Sequence, residues 1–213
     1  MSTRREPINV LDASTLDEVE GTLLYDASYE ELRTLDELWV PCVRFAEPEM
    51  RMRGAPFDLV PDYLWWDWAG KFALARRQSW RVFGITYRNQ VQGAIVISVR
   101  PIGCEASVHT GRDGLCVEFL ATAPWNIGRF MRSMERKPFL DAVGPILLRV
   151  AVSMSRATYR CEGRIVLFFV KKAEYFYRNV CGMIDLGVVH HGGETLRHCE
   201  MSKERADEFM GGG

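Results

Sequence analysis

The order of elements between Cys116 and Gly187 constrains the fold of this chain more than any other feature. A β-rich segment at 115–122 is followed by an amphipathic helix at 145–157 and then by the apolar run Ile165–Val170. That run has no polar alternation, which is typical of a strand covered on both faces in a parallel region of a sheet. The series therefore predicts a right-handed βαβ crossover, with ligands beyond the carboxyl ends of its strands.

Other segments predict strands on either side of this crossover. Val82–Tyr87 and Val91–Val99 are β-rich and separated by a short polar turn, so they predict an antiparallel hairpin. Ile8–Leu11 predicts a brief first strand, and Ile184–Leu186 and Glu194–Met201 predict two closing strands. The expected fold is an α/β domain with a mixed, mainly antiparallel central sheet, one parallel crossover and flanking helices.

Two helices are expected directly after the first strand. Asp12 or Ser14 can cap the first, whose opening turn is acidic. Ser28 precedes Tyr-Glu-Glu, which is a capping-box pattern for the second. Residues 46–61 contain three prolines and a glycine and predict a loop.

A tryptophan-rich segment follows this loop. Pro61 can begin a helix on which apolar residues recur at three- and four-residue steps: Leu64, Trp65, Trp68, Phe72 and Ala75. The Trp65-Trp66-Asp67-Trp68 cluster has two interpretations. It is either the buried stripe of the helix or an aromatic wall of an acceptor pocket.

Composition limits the classes of function. A chain of 213 residues with 47% hydrophobic content fits one domain over residues 1–213. The net charge of −1 gives no global attraction to nucleic acid or to a membrane. Residues 1–80 carry 9 basic and 15 acidic side chains, whereas residues 81–213 carry 18 and 13. The basic excess of the second part suits a phosphate-rich ligand, although ordinary soluble proteins also have surfaces of both signs.

Cysteine and histidine usage argues against metal or disulfide scaffolding. The six cysteines are widely spaced without a C-x-x-C pair, so reduced thiols in a cytoplasmic protein are the simplest interpretation. His190-His191 and His198 have no carboxylate or thiol at ligand spacing, and we expect no metal. Cys116 has no identifiable histidine partner and is expected to be an inert thiol.

The segment Ala173-Glu-Tyr-Phe176-Tyr177-Arg-Asn-Val180-Cys-Gly182-Met183, together with the preceding series, resembles the GCN5-related N-acetyltransferase superfamily. That family has an Ala-x-x-Phe/Leu-Tyr pattern ending in Gly-Phe/Met. The resemblance implies that Phe176 and Tyr177 contact acyl-CoA and that the Tyr177 hydroxyl is the acid for the leaving thiolate. The alternative is that Tyr177 merely packs on a helical face. Tyr177 to Gly182 is one residue longer than the commoner spacing, and Val170 stands where an asparagine often binds the cofactor.

The family's phosphate-binding turn usually reads Arg/Gln-x-x-Gly-x-Gly/Ala. Aligned on Gly144, this chain reads Phe139-Leu-Asp-Ala-Val-Gly144, so the first basic or amide residue and the first glycine are absent. Ala142 replaces that glycine and is expected to be tolerated only at negative φ. The resemblance implies a pyrophosphate cradle at the start of the helix, formed by Asp141, Ala142, Val143, Gly144 and Ile146.

The resemblance also assigns roles to the strand before this turn. Main-chain amides of Leu120, Ala121 and Thr122 are implied to bind the thioester carbonyl and pantetheine. Glu118 is implied to be a base or to organise a water molecule; alternatively, it pairs with a nearby arginine. The basic residues of segment 127–141 either reach the coenzyme A phosphates or belong to a solvated loop: Arg129, Arg132, Arg136 and Lys137.

The implied activity is transfer of an acetyl group from acetyl-CoA to an amine that attacks the thioester directly, without a metal. Residues 8–80 form the N-terminal strand and helices, 81–187 the acyl-CoA-binding core and 183–202 the closing strands. A small molecule or a protein amino group is expected as acceptor, and a tRNA-linked amine less so. No membrane partner is expected, and the oligomeric state stays open, a homodimer included. The alternative is a family fold without catalysis, acting as a binding or regulatory module, which the altered Phe139–Gly144 turn and Val170 favour.

Overall fold

A computed structural model describes residues 3–56, 59–61, 67–191 and 193–211. Within these residues, nine strands form one sheet in the order β6-β1-β2-β3-β4-β5-β7-β9-β8. The strands are β1 (Arg4–Asp12), β2 (Glu18–Tyr25), β3 (Trp80–Tyr87), β4 (Gln90–Gly103), β5 (Asp113–Thr122), β6 (Leu140–Asp141), β7 (Ile165–Phe169), β8 (Ile184–His191) and β9 (Glu194–Met201).

The helices come from both halves of the chain. They are α1 (Tyr29–Leu32), α2 (Val40–Met52), α3 (Trp68–Gln78), α4 (Gly128–Arg132), α5 (Val143–Ala157) and α6 (Lys203–Gly211). A π-helical turn, Leu35–Trp39, runs directly into α2, and a second π-helical turn spans Phe176–Val180. None of the helices in the described ranges is long and apolar enough to cross a membrane.

The predicted crossover is confirmed. β5 and β7 run parallel, with Leu115 opposite Ile165 and Val117 opposite Leu167, and α5 lies between them in the chain. β7 pairs antiparallel with β9, which pairs antiparallel with β8, as expected for the closing strands. The observed sheet is therefore mainly antiparallel with one parallel pair, as predicted.

The first predicted helix is wrong, because residues 18–25 form β2. The Asp12 carboxylate does accept the main-chain N–H of Ser14, at 2.8 Å, but this contact closes the turn between β1 and β2 rather than capping a helix. The same short acidic side chain stabilises both kinds of turn. Gly21 and Leu23 of β2 are buried while Thr22 between them is less so, which is the two-residue period of a strand.

The loop predicted for residues 46–61 is also partly wrong, because α2 continues to Met52 with Pro48 inside it. Val43, Ala46 and Met50 form a buried face of α2, and they pack with Phe130 and other apolar residues of the same cluster. This burial outweighs the hydrogen bond that an internal proline removes. The capping box before α1 is confirmed, since Ser28 and Glu31 bond each other's main-chain N–H groups.

The tryptophan-rich segment is only partly described. Leu64, Trp65 and Trp66 lie outside the described residues, whereas Trp68 begins α3. Trp68, Phe72 and Ala75 are all buried, so this part of the segment is a core stripe. The ring of Trp68 packs edge-on against Trp39, with the centroids 6.3 Å apart.

The chain divides into two compact units. The first holds the described residues up to Gln78 together with Val82–Ile95 and Leu120–Leu147. The second holds Ser79–Arg81, Val96–Phe119 and the described residues from Leu148 onwards. The sequence analysis predicts neither β6, which pairs with the end of β1, nor α6, which follows β9.

Candidate functional site

The turn that precedes α5 has a left-handed backbone residue. Ala142 has a φ of 58°, contrary to the expectation of negative φ. Only glycine adopts this conformation freely, and it costs another residue about 1–2 kcal/mol. The turn therefore has the backbone conformation that a glycine at this position would supply, although its side chain departs from the pattern. The Ala142 carbonyl accepts the N–H of Ile146 at 3.0 Å and so begins the hydrogen-bonding pattern of α5.

An acidic side chain occupies part of this turn. Asp141 Oδ1 accepts the main-chain N–H of Ala142 at 2.8 Å, and Asp141 is exposed. A carboxylate at a helix N-terminus interacts favourably with the helix dipole, as a phosphate would. The Asp141 carboxylate is thus hydrogen-bonded to the Ala142 N–H, which the predicted pyrophosphate cradle would use to bind phosphate.

Gly93 of β4 lets the beginning of α5 approach the sheet closely. A Cβ atom at this position would lie 2.7 Å from Val143 Cγ1 and 2.8 Å from Leu147 Cδ1, and 3.3 Å from the Ala121 carbonyl oxygen. A side chain would therefore push these groups apart. Because Gly93 has no side chain, the end of β5 at Ala121 and the beginning of α5 at Val143 both lie close to it in the first unit.

A buried glutamine, which the sequence analysis missed, positions the segment after β5. Gln92 is fully buried, and its Oε1 accepts Trp125 Nε1 and Asn126 Nδ2, both at 2.9 Å. Asn126 Oδ1 in turn accepts the N–H of Leu140 at 2.9 Å. The turn after β5 is thus tied to the strand that leads into the Asp141–Ala142 turn. A polar residue inside the apolar run of β4 was the available sequence signal.

The end of β5 carries the other residues predicted for the first unit. Leu120, Ala121 and Thr122 are each half-buried, and the N–H of the following Ala123 donates to the Gln92 carbonyl at 2.9 Å. The predicted cofactor residues Asp141, Ala142, Val143, Gly144 and Ile146 all lie in the same unit. The phosphate and carbonyl parts of the predicted site therefore fall within one compact unit.

Glu118 lies in the second unit, on β5. It is half-buried. Burial raises the pKa of the Cys116 thiol, two residues earlier, and the negative charge of Glu118 and a hydrogen bond to it raise this pKa further. Cys116 is therefore protonated at neutral pH, which agrees with its expected inertness. The carboxylate of Glu118 is a hydrogen-bond acceptor on an otherwise apolar strand.

Tyr177 is packed in the second unit at the π-helical turn Phe176–Val180. Its side chain is 7% exposed, and its ring lies 4.9 Å from both Phe169 and Phe176. Burial raises the pKa of the phenol well above its usual range, so the hydroxyl keeps its proton. Among the described residues, no hydrogen bond to that hydroxyl is present, which leaves it available to a ligand. Phe176 is half-buried beside it.

The basic segment after β5 is partly committed to ion pairs. Arg136 Nη2 lies 2.8 Å from Glu49 Oε2, which attaches this segment to α2. Arg132 packs against Gly128 within α4, and Lys137 is exposed. Arg136 is therefore already paired with a carboxylate in this structure.

No protein-family model matches the chain, and no curated protein matches it. Among solved structures it is similar to the aminoglycoside acetyltransferase AAC(6')-Ib in complex with coenzyme A and kanamycin, with 13% identity and a TM-score of 0.52 over 88% of this chain and 98% of that one. A GCN5-related N-acetyltransferase from Rhodopseudomonas palustris has 13% identity and a TM-score of 0.49, over 92% and 98% of the two chains. The yncA protein of Salmonella typhimurium, solved with acetyl-CoA, has 13% identity and a TM-score of 0.48, over 86% and 94%.

The first of these likenesses agrees with the topology described above, in which a single parallel pair, β5–β7, interrupts an antiparallel sheet and α5 connects the two strands. The chain has the fold of the GCN5-related N-acetyltransferases.

Proposed function

We propose that this protein is an acetyl-CoA-dependent N-acetyltransferase that acts on an amine by direct attack on the thioester. The observation that carries this proposal is the left-handed backbone of Ala142 at the start of α5. A backbone conformation that costs energy is found most often at functional sites, and this one directly precedes a helix N-terminus, where main-chain amides can bind phosphate. The fold shared with an acetyltransferase solved with coenzyme A supports the proposal.

The residues of the first unit would bind and polarise the thioester donor. Main-chain N–H groups of the Ala142–Gly144 turn would hold the pyrophosphate, once the Asp141 carboxylate releases the Ala142 N–H. Main-chain amides at Leu120–Thr122 would donate to the thioester carbonyl, where negative charge develops as the C–N bond forms. A bound pyrophosphate would displace the Asp141 side chain. Binding of acetyl-CoA would therefore replace the carboxylate of Asp141 by a phosphate at the Ala142 N–H.

The residues of the second unit would handle protons. Glu118 would accept the proton that the attacking nitrogen loses, directly or through a water molecule. Tyr177 would donate its hydroxyl hydrogen bond to the sulfur as the C–S bond breaks. Because burial keeps the phenol protonated, this donor is present across the neutral pH range.

The acceptor is proposed to be a small molecule or a protein amino group. The net charge of −1 supplies no general attraction for tRNA. A panel of small amines and peptides, assayed with acetyl-CoA by release of free thiol, tests the proposal. We expect thiol release that depends on the acceptor, and a protein that transfers acetyl to none of the amines would contradict the activity.

The second candidate is a binding or regulatory module that has the fold but no longer catalyses. The contact between Asp141 and Ala142 favours this candidate, because a carboxylate already occupies the turn. Mass spectrometry of the purified native protein separates the two. A retained acyl-CoA supports the enzyme, whereas a stable protein partner without acyl-CoA supports the module.

A further inference from the structure

A group of three chemically different side chains, two of them buried and one half-buried, lies in the second unit at the loop between β4 and β5. Cys104 and His109 come from this loop, and Glu200 comes from β9. One potential ligand atom from each residue, namely a thiol sulfur, a ring nitrogen and a carboxylate oxygen, lies within 4.8 Å of the other two. The side chains of His109 and Glu200 are 3% and 0% exposed.

The carboxylate of Glu200 is held in place by the same loop. Its Oε2 accepts the N–H of Ala106 at 3.2 Å and lies 2.7 Å from His109 Nδ1, while its Oε1 accepts the N–H of Glu105. A buried carboxylate is costly unless charge and hydrogen bonds compensate it. The loop supplies the hydrogen bonds but no arginine or lysine at this carboxylate among the described ion pairs.

A second imidazole, that of His198, faces the same carboxylate, and its Nδ1 lies 3.6 Å from Glu105 Oε2. His198 is 3% exposed, its Nε2 lies 3.6 Å from Glu200 Oε1, and within the described ranges this nitrogen has no hydrogen bond. His109 Nε2 is likewise buried and unbonded among the described residues. A buried polar atom without a hydrogen bond lowers stability, so a ligand bound by Nε2 of His198 would recover stability.

Thiolate, imidazole and carboxylate are the ligand types that bind Zn²⁺, at about 2.0–2.3 Å each in tetrahedral geometry, so two donors of one ion lie about 3.3–3.8 Å apart. The three donor atoms, which lie within 4.8 Å of one another, would have to approach by about 1 Å, and Cys104 is half-buried on a loop. We propose that Cys104, His109 and Glu200 form a binding site for a divalent transition-metal ion such as Zn²⁺, with His198 beside it as a fourth donor.

Charge balance favours a divalent ion. On binding, the S–H bond of Cys104 is replaced by a sulfur–metal bond and the proton passes to solvent. The ion then neutralises one thiolate and one carboxylate. At His109, the Nδ1 lone pair would bind the ion while the neutral ring carries its proton on Nε2.

Titration of the purified full-length chain with Co²⁺, a coloured substitute for Zn²⁺, tests the site. We expect thiolate-to-Co²⁺ charge-transfer absorption that saturates near one equivalent and is removed by added Zn²⁺. Cys104→Ser should abolish this absorption and weaken Co²⁺ binding by at least about tenfold, whereas the matched variant Cys42→Ser, at another half-buried cysteine, should bind as the wild type does. No absorption in the wild type, or equal absorption in Cys104→Ser, would overturn the site.

A second measurement uses the wild-type protein alone and so does not depend on the folding of a variant. Thiol alkylation followed by peptide mass spectrometry reports Cys104 and Cys42 in the same molecule. Saturating Zn²⁺ should slow the alkylation of Cys104 by about tenfold or more and leave Cys42 unchanged. Equal rates with and without Zn²⁺ at Cys104 would overturn the proposal. Neither measurement depends on acetyl transfer.

Discussion

The turn at Phe139–Gly144 and the segment Phe176–Gly182 depart from the family pattern in opposite ways. The first lacks the glycine of the pattern, yet Ala142 in its place adopts a left-handed conformation that glycine favours. The second has the expected Phe-Tyr pair but one residue too many before Gly182. A π-helical turn, which accommodates an extra residue in a helix, spans Phe176–Val180 in this segment. In the first segment the side chains differ from the pattern while the backbone suits a glycine. In the second segment the Phe-Tyr pair is present while the helical backbone is altered.

The largest effect is expected at the segment whose residues match. Tyr177→Phe removes only the hydroxyl and should lower kcat by about 10²-fold while leaving acetyl-CoA affinity unchanged, because general acid groups contribute about 10²–10⁴-fold. Tyr175→Phe is the matched control, since Tyr175 is 73% exposed two residues earlier. Steady-state kinetics and calorimetry measure the two quantities. An equal loss of turnover and affinity would indicate that Tyr177 only packs.

The next effect concerns the packing that supports the turn before α5. Gly93→Ala places a methyl group 2.7 Å from Val143 Cγ1 and should destabilise the fold by about 1–3 kcal/mol. Gly103→Ala on the same strand is the control, because a Cβ there meets no atom within 4 Å. Urea denaturation of both variants gives the comparison. Equal stability would show that α5 can move away without cost.

A smaller effect is expected from the acidic residue of the turn. Asp141→Ala frees the Ala142 N–H and removes a negative charge from the predicted phosphate site, so acetyl-CoA should bind about tenfold more tightly, or ~1.4 kcal/mol. Asp17→Ala, at an exposed aspartate of the β1–β2 turn, should leave affinity unchanged. Isothermal calorimetry measures both. Weaker binding in Asp141→Ala would mean that this carboxylate orders the turn for its ligand.

The smallest effect tests the backbone of the same turn. Ala142→Gly relieves a left-handed alanine and should raise the free energy of unfolding by about 0.5 kcal/mol, after allowance for the greater entropy of glycine in the unfolded chain. Ala121→Gly, at a residue without positive φ in β5, should lower it by up to about 1 kcal/mol. Thermal or urea unfolding distinguishes the two signs. A loss in both variants would refute the strain assigned to Ala142.

The parallel crossover could be predicted because its evidence is local and redundant. Ile165–Val170 is apolar throughout, and 145–157 has a clear helical stripe, so each segment specifies its own type and burial. β2 could not be predicted with the same rule, because the aspartate that caps a helix also closes a hairpin turn. Which of the two forms depends on whether Leu23 and Leu24 can be buried in a sheet, and that is decided by strands far away in the chain.

The candidate site could be predicted only in part for the same reason. The residues of the turn at Ala142 are neighbours in sequence, and so are those of the segment at Tyr177, so a sequence pattern can identify each segment. Cys104, His109 and Glu200 come together only through the pairing of β9 with β7, since 91 residues separate His109 from Glu200. The bonds of Gln92 to Trp125 and Asn126 likewise depend on the folded sheet. Sequence-spacing rules for metal ligands and catalytic residues cannot predict contacts between residues so far apart in the chain.

Calorimetric titration of the purified protein with acetyl-CoA tests the central claim most directly. The account predicts saturable binding of about one acetyl-CoA per chain, strengthened in Asp141→Ala and unchanged in Tyr177→Phe. Absence of binding in the wild type and in Asp141→Ala would contradict the claim that the Ala142 turn of this fold holds an acyl-CoA.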